Sequence, residues 1–474
     1  MRPDPRSSTS TIARSSCALA ALTALGLLSG GCGGAPHHVT TPAEAPAPHL
    51  RGHAEDDAPA ARHDAPLPDP TAGAEVSLAG ILAFADQRSP VLAVARSTRS
   101  RAEAARVAAS ILMPTNPVVT VAAGPRFGLT GRGVDVEVSL TQQVQIAGER
   151  GLRVEAADAL GALTAAEIEQ LRWAVHCDVH AAFHRALVEQ QRARLAAQVV
   201  DFQESVLGAV ERRIKAGDVA PLALRLAQAE VAQAKQVSVA ATQARLVARI
   251  RLAQLAGWPV SSPPEPVGEV DAPREPPSQA ALGVVARERL PSLRAAGARV
   301  REAEARARLA GREAWPRPSL GVQYRREGNP SSEGAYDIVM GVVSVPITSF
   351  QRNQGEQAHA RADARVAEAE QDAARRLLDG QIAEARSEVV AASARARAYR
   401  AEILPRFEEN LSLLRRSFEL GEIDLLALSA GRERFLRIQS DALDAQQAYF
   451  VALAALERVV GVDLWHDDHG EGAR

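Results

Sequence analysis

Three histidines, His176, His180 and His184, follow one another at steps of four residues, which on a helix puts them along one face. Imidazoles so placed could hold a transition metal in transit. No carboxylate or thiol completes a recognisable ligand set, and the bland reading, a packed or solvated helix face that uses histidine, is preferred. His359 stands alone on another helical stretch, and "HDDH" (466–469) sits in a polar tail. Elsewhere the chemistry-bearing patterns are missing. There is no H-E-x-x-H, no P-loop and no G-x-S-x-G, and the glycines of "GPRFGLTGRG" are misspaced for a dinucleotide turn. The expectation is a protein that is not an enzyme, with no catalytic residue, no cofactor and no resident metal.

The N-terminus carries an address. Arg2, Arg6 and Arg14 precede the apolar "CALAALTALGLL" (17–28) and then "SGGC", the layout of a cleaved signal over residues 1–31. The apolar run is shorter than the roughly 20 residues a bilayer-spanning helix needs. Its end resembles a bacterial lipobox, which would make Cys32 the lipidated first residue of the mature chain, although Ser29 stands where that pattern prefers leucine. Ordinary cleavage nearby is the alternative. Residues 32–74 are rich in proline, alanine and charge without an apolar period, and are expected to form a disordered tether. Its histidines, His37, His38, His49, His53 and His63, have no spacing that fixes a tetrahedral site. With Cys17 in the signal, Cys177 remains alone in an apolar helical context, so no disulfide framework is expected.

The elements that must position any site are read from composition and repeats. The 474 residues are 46% hydrophobic but only 4% aromatic, a balance suited to long alanine-rich helices packed side by side. A formal net charge of -2 gives nucleic acid nothing to bind. The chain also repeats itself: Ala85, Arg88 and Pro90 match Ala286, Arg289 and Pro291, and Gly151 and Gly217 match Gly355 and Gly421 after a three-residue insertion. The repeats are residues 75–277 and 278–463, followed by a tail, 464–474.

Each repeat reads alike. An alanine-rich helix (about 75–112, about 278–312) ends at prolines, and two strand-like stretches follow, at about 117–125 and 133–146, and at about 318–326 and 335–347. In the second of these, Val134, Val136, Val138 and Leu140 alternate with Asp135, Glu137 and Ser139, one apolar face and one polar. A helix of roughly 95 Å comes next, 152–214 or 356–419. The return is made in pieces. Helix 222–256 is expected to stack on the helix beginning at 278, and helix 75–112 on the last one, 425–458. The fold class is mainly α with a small β part, a tandem strand-strand-long-helix repeat. Four strands of this length cannot close a barrel, since the smallest membrane barrels have about 8, so strands in lipid would require oligomerisation.

Residues 75–463 resemble the TolC family of outer-membrane efflux factors, closest to its heavy-metal-efflux, CzcC-like branch. The likeness rests on the tandem repeat, on "SVPITSFQRNQGEQAHARADARVAEAE" (344–370) with Phe350, Arg352, Asn353 and Gly355, and on the glycine-containing hairpins at Gly217 and Gly421. It implies a homotrimer whose twelve-stranded β-barrel sits in outer-membrane lipid and continues as a periplasmic α-helical barrel. It also implies a periplasmic adaptor and an inner-membrane pump of the RND type as partners, the duct itself being passive. Docking of the adaptor would fall on the hairpin tips, Gly217, Asp218, Val219, Pro221 and Leu222, and Gly421, Glu422, Ile423, Asp424 and Leu425. Tyr324 and Tyr336 would supply an aromatic girdle. The competing function is a periplasmic coiled-coil scaffold or adaptor lipoprotein that forms no pore.

Overall fold

A computed structural model describes residues 74–128, 131–216, 221–268, 272–328, 336–420 and 422–464. Cys32, the tether histidines and the "HDDH" tail lie outside them, as do Gly217, Asp218, Val219 and Gly421 of the hairpin tips. The elements run β1 (Glu75–Val76), α1 (Leu78–Arg88), α2 (Pro90–Ser97), α3 (Arg99–Ser110), β2 (Val118–Gly128), β3 (Gly131–Gln143), α4 (Glu149–Lys215), α5 (Pro221–Ala256) and β4 (Glu265–Pro266). They continue with α6 (Gln279–Arg289), α7 (Pro291–Arg312), β5 (Ser319–Glu327), β6 (Tyr336–Ser344), α8 (Gln354–Ala398), a π-helical turn (Tyr399–Ile403), α9 (Leu404–Glu419) and α10 (Leu425–Val460).

The sequence places every start and stop. Ser77 and Ser278 cap α1 and α6, accepting from Gly80 N at 3.2 Å and Ala281 N at 3.3 Å. Pro90 and Pro291 open α2 and α7, where a missing N–H costs nothing. The helices expected over 75–112 and 278–312 are therefore broken, because the residues before these prolines, Ser89 and Leu290, are held extended. The helix expected over 356–419 is interrupted as well. Pro405 cannot bond to the preceding turn and its ring crowds it, and the π turn just before it widens the helix to make room. β6 ends at Ser344, ahead of Pro346, which has no N–H to continue the ladder.

The helices form a layer of four columns. In α5, Ala227, Ala234, Ala241 and Ala248 are buried at intervals of seven, with Val231 and Leu252 between and beyond them. That heptad spacing keeps one seam turned to α4, and alanine lets the two helices approach closely. On its other side α4 meets α7 and α10, and these pack in turn on α8.

The pieces stack within a repeat, not across repeats as the sequence suggested. The C-terminal end of α5 packs on α1, and a Cβ on Gly257 (φ 79°) would run into Arg88 O. α10 meets α6 likewise, where a Cβ on Gly461 (φ 82°) would lie 2.6 Å from Leu290 Cα. Each returning helix thus ends on a left-handed glycine seated against the break in its own repeat's first helix. The columns, in order, are α1–α3 with α5, then α4, then α6–α7 with α10, then α8 with α9.

Two cores sit at these joints. One gathers Ile81, Phe84 and Leu92 with Val179, Phe183, Leu252 and Trp258, and the Phe84 and Trp258 rings are 4.7 Å apart. Leu78–Ser110 is long and apolar enough to cross a membrane, but its Ile81, Leu82, Phe84, Ala85 and Leu92 are spent on that core. The other gathers Leu290, Leu378, Ile382, Val389, Tyr449, Phe450, Leu453 and Leu456. The proline-rich interval after α5 is tied into the first joint. β4 pairs in parallel with β1, and Glu265 takes Gln190 Nε2 at 2.6 Å and ion pairs from Arg245 and Arg249.

Glu302, on α7, is buried and ion-paired with Arg306. Burial raises its pKa above the usual carboxylate value, and Asp363 and Glu167 raise it further against the pull of Arg306. A folded pKa above the unfolded one adds stability below the ordinary carboxylate range, and that stability is lost as pH rises through the raised value. Glu302→Gln is therefore expected to raise the thermal midpoint at neutral pH and to leave it unchanged near pH 4, read by circular dichroism.

Candidate functional site: a two-faced strand wall on a helical layer

The four long strands form one antiparallel sheet in the order β2-β3-β5-β6. Register decides its faces, because residues directly opposite one another point to the same side. One row runs Val121, Val138, Tyr324, Val339, and the next Val119, Leu140, Val322, Gly341. Pro125 and Val134 extend the same face, and Val121, Val134, Val322 and Val339 are all more than half exposed. The opposite face carries Thr120, Ser139, Gln323 and Met340 in one row and Ala122, Glu137, Arg325 and Ile338 in another. An apolar band thus backs a mostly polar surface. Tyr324 lies on the apolar side, where its hydroxyl donates to Asp337 at 2.8 Å, while Tyr336 pairs with Glu327 on the other side and so belongs to no common girdle.

The strands lead into the helix columns in matching order. β2 follows α3, β3 leads to α4, β5 follows α7, and β6 leads to α8. Left-handed residues turn the chain into both long helices, Gly148 at φ 77° and Asn353 at φ 56°. Asn353 is one of few residue types that tolerate that backbone, and its Nδ2 donates to Ala310 O at 3.1 Å, tying the turn to the end of α7. Arg352 Nε donates to Thr348 O at 3.1 Å, closing the same turn, and Phe350 projects from it, almost fully exposed. Gly355 lies in the first turn of α8.

At the far end of the layer, α4 finishes at Lys215 and α5 begins at Pro221. In the second hairpin Asp424 caps α10, accepting from Ala427 N at 2.8 Å, while Glu422 and Ile423 complete the turn and Leu425 opens the helix. A cavity of about 410 Å³ lies between α9 and α10 beside this turn, lined by Phe407, Leu411, Leu414, Ile423 and Arg434.

The histidine face is turned inward. His180 Nδ1 lies 2.9 Å from Glu457 Oε2, and its Nε2 lies 3.1 Å from His184 Nε2. His184 stacks on Phe450 with ring centroids 3.9 Å apart, and Glu457 is fully buried. Leu464 N and Trp173 Nε1 also donate to Glu457, to its Oε1 and its carbonyl. His176 stacks on Trp173 and approaches Asp463 at 3.7 Å. The carboxylate beside the stripe comes from α10, which the stretch around the histidines could not reveal. Among the described residues no group of three or more histidine, cysteine, aspartate or glutamate side chains could hold a metal. Cys177 is buried nearby, and burial, with the charge of Glu457, pushes its thiol well above the ordinary value, which makes it inert.

These features define a class: a strand wall with one apolar face, continued by a layer of long helices, with no catalytic constellation among the described residues. Residues 282–462 match the family model described as "Outer membrane efflux protein". The cobalt-zinc-cadmium resistance protein CzcC of Cupriavidus metallidurans is 28% identical over 323 residues, 67% of this chain and 72% of that protein. The crystal structure of a membrane protein from Pseudomonas aeruginosa superposes with a TM-score of 0.63 at 18% identity, covering 81% of this chain and 93% of that one. The outer membrane protein VceC of Vibrio cholerae does so with a TM-score of 0.62 at 16% identity, covering 81% and 96%. Its likeness is to the outer-membrane efflux proteins of the TolC family. That likeness supports an exit duct of the outer membrane, with its helices in the periplasm, rather than an enzyme.

The buried pair across α4 and α10 generates a stability prediction. Glu457→Leu alone leaves His180 buried without its carboxylate and is expected to cost about 3–5 kcal/mol. Adding His180→Leu should recover much of that loss, seen as a thermal midpoint restored toward that of the parent protein.

Proposed function

We propose that three copies of this chain close into a twelve-stranded barrel continued by a helical tube, and that the assembly passes substrate out of the cell without energy of its own. The carrying observation is the pair of open edges. Among the described residues β2 and β6 each pair on one side only, and the helix layer ends correspondingly at the α1–α3/α5 column and at the α8/α9 column. An unpaired strand edge in lipid leaves backbone groups unsatisfied at several kcal/mol each, and four strands fall below the smallest closed barrel of about 8. Matching strand and column order supports closing both layers with the same neighbours. The pore-free scaffold reading has no use for a sheet whose exposed side is apolar.

The partners proposed are a periplasmic adaptor and an inner-membrane pump of the RND type, with the adaptor seated on the two hairpin tips: Gly217 to Leu222, and Gly421 to Leu425. Cys32 is proposed as the lipid-bearing residue that follows a cleaved signal. The name of the relative from Cupriavidus metallidurans favours divalent transition-metal cations as cargo.

Two experiments test this reading. Val138→Lys places a charge in the middle of the apolar band, where lysine costs about 2–4 kcal/mol at a bilayer midplane. It should deplete the detergent-resistant trimer from the outer-membrane fraction, whereas Ser139→Lys, one residue along on the other face, should not. Replacing Gly217 and Gly421 together by leucine should abolish resistance to zinc, cobalt and cadmium while trimer and insertion persist; unchanged resistance would overturn the docking assignment.

A further inference from the structure

The polar face of the sheet holds five charged residues, and all five join in one network toward its helix-distal end. Arg126 Nε lies 3.0 Å from Asp135 Oδ2, and its Nη2 lies 3.1 Å from Glu327 Oε2. Arg325 Nη2 lies 2.9 Å from Glu137 Oε2, and its Nη1 lies 3.9 Å from Glu327 Oε1. Glu327 is thus shared between the two arginines. Register puts the five on one side: Glu137 stands opposite both Ala122 and Arg325, Asp135 opposite Gly124, and Arg126 opposite Gly133. Each side chain remains between 27% and 39% exposed. Ion pairs this exposed add little to stability, so folding does not account for them on a face where serine, threonine and glutamine serve elsewhere.

The balance has a sign. Three carboxylates against two guanidiniums leave each chain's network with a net charge of minus one. We infer that Arg126, Asp135, Glu137, Arg325 and Glu327 form the charge-selective lining of the duct's outer mouth and favour the passage of cations. The inference rests on the barrel reading, in which this face lines the lumen and three copies bring the networks into one ring. Rings of acidic side chains make a pore cation-selective, and in β-barrels it is the lumen residues that tune selectivity. A ring with surplus carboxylate concentrates cations over a Debye length, about 10 Å at 0.1 M salt. The interleaved guanidiniums keep the carboxylates apart and the ring weakly charged, so a cation is attracted without being trapped.

The test uses the purified full-length trimer in planar bilayers under a tenfold potassium chloride gradient. The parent channel should reverse at a cation-selective potential. Glu137→Gln with Glu327→Gln changes the sign of each network and should lower the potassium-to-chloride permeability ratio several-fold. Arg126→Gln with Arg325→Gln should raise it. Asp135 is left in place because it also accepts the backbone N–H of Gly328 at 3.0 Å and so helps hold the hairpin end. Opposite shifts in the two variants support the lining, since a merely structural role would move both alike. Conducting channels with unchanged ratios, or shifts in the same direction, overturn the lining and leave the duct standing. Inserted trimers that never conduct overturn the duct and the lining with it.

Discussion

A strand in hydrocarbon must pair every backbone N–H and C=O, because lipid offers no substitute for water. That constraint shapes the rest of this molecule. Four strands in the order β2-β3-β5-β6 have two edges to cover, and the helices beneath them repeat the order. The sheet's alternation gives it an apolar back and a polar front, which in the proposed barrel would face lipid and lumen. Chain topology then sets the helix layer under the same openings, which is why edge, face and column agree.

The helical layer meets a different demand, close approach over about 100 Å of α4 with little bulk between columns. Alanine at heptad spacing answers it along α5, and the two largest clusters of bulky side chains lie at the joints where a returning helix meets the break in its repeat's first helix. There lie Phe84, Trp258, Tyr449 and Phe450, the left-handed Gly257 and Gly461, and the buried Glu457–His180 contact that links α10 of the second repeat to α4 of the first. A carboxylate with no exposed surface is tolerable because an imidazole and the backbone N–H of Leu464 hydrogen-bond to it. The histidine stripe that suggests metal chemistry is accounted for as a bolt between columns.

Much of this was legible in residue order, for local reasons. Period two along 134–140 reveals a two-faced strand, and a long run without proline becomes α4, whereas the breaks that Pro90 and Pro291 make in the first helix of each repeat were not read. The tandem likeness and the motif around Phe350, Arg352 and Asn353 pointed to the family. Other features needed a second segment of chain. Tyr336 looks as good a girdle residue as Tyr324 until register sets it opposite Glu327, and the carboxylate within "HCDVHAAFH", Asp178, pairs with Arg458, while the one that meets His180, Glu457, comes from 277 residues away.

The sequence by itself determined the kinds of element and their order, because capping, proline geometry and hydrophobic period act within a few residues of their cause. Only the tertiary structure decided how the pieces go together. Arithmetic on helix length allowed α5 to stack on α6–α7 as readily as on α1–α3, since length is blind to partner. The choice was made by the seat of Gly257 against Arg88 and of Gly461 against Leu290, contacts between surfaces far apart in the chain. Likewise the charges that meet at Glu327 are scattered along three strands, and pairing alone brings them to one face.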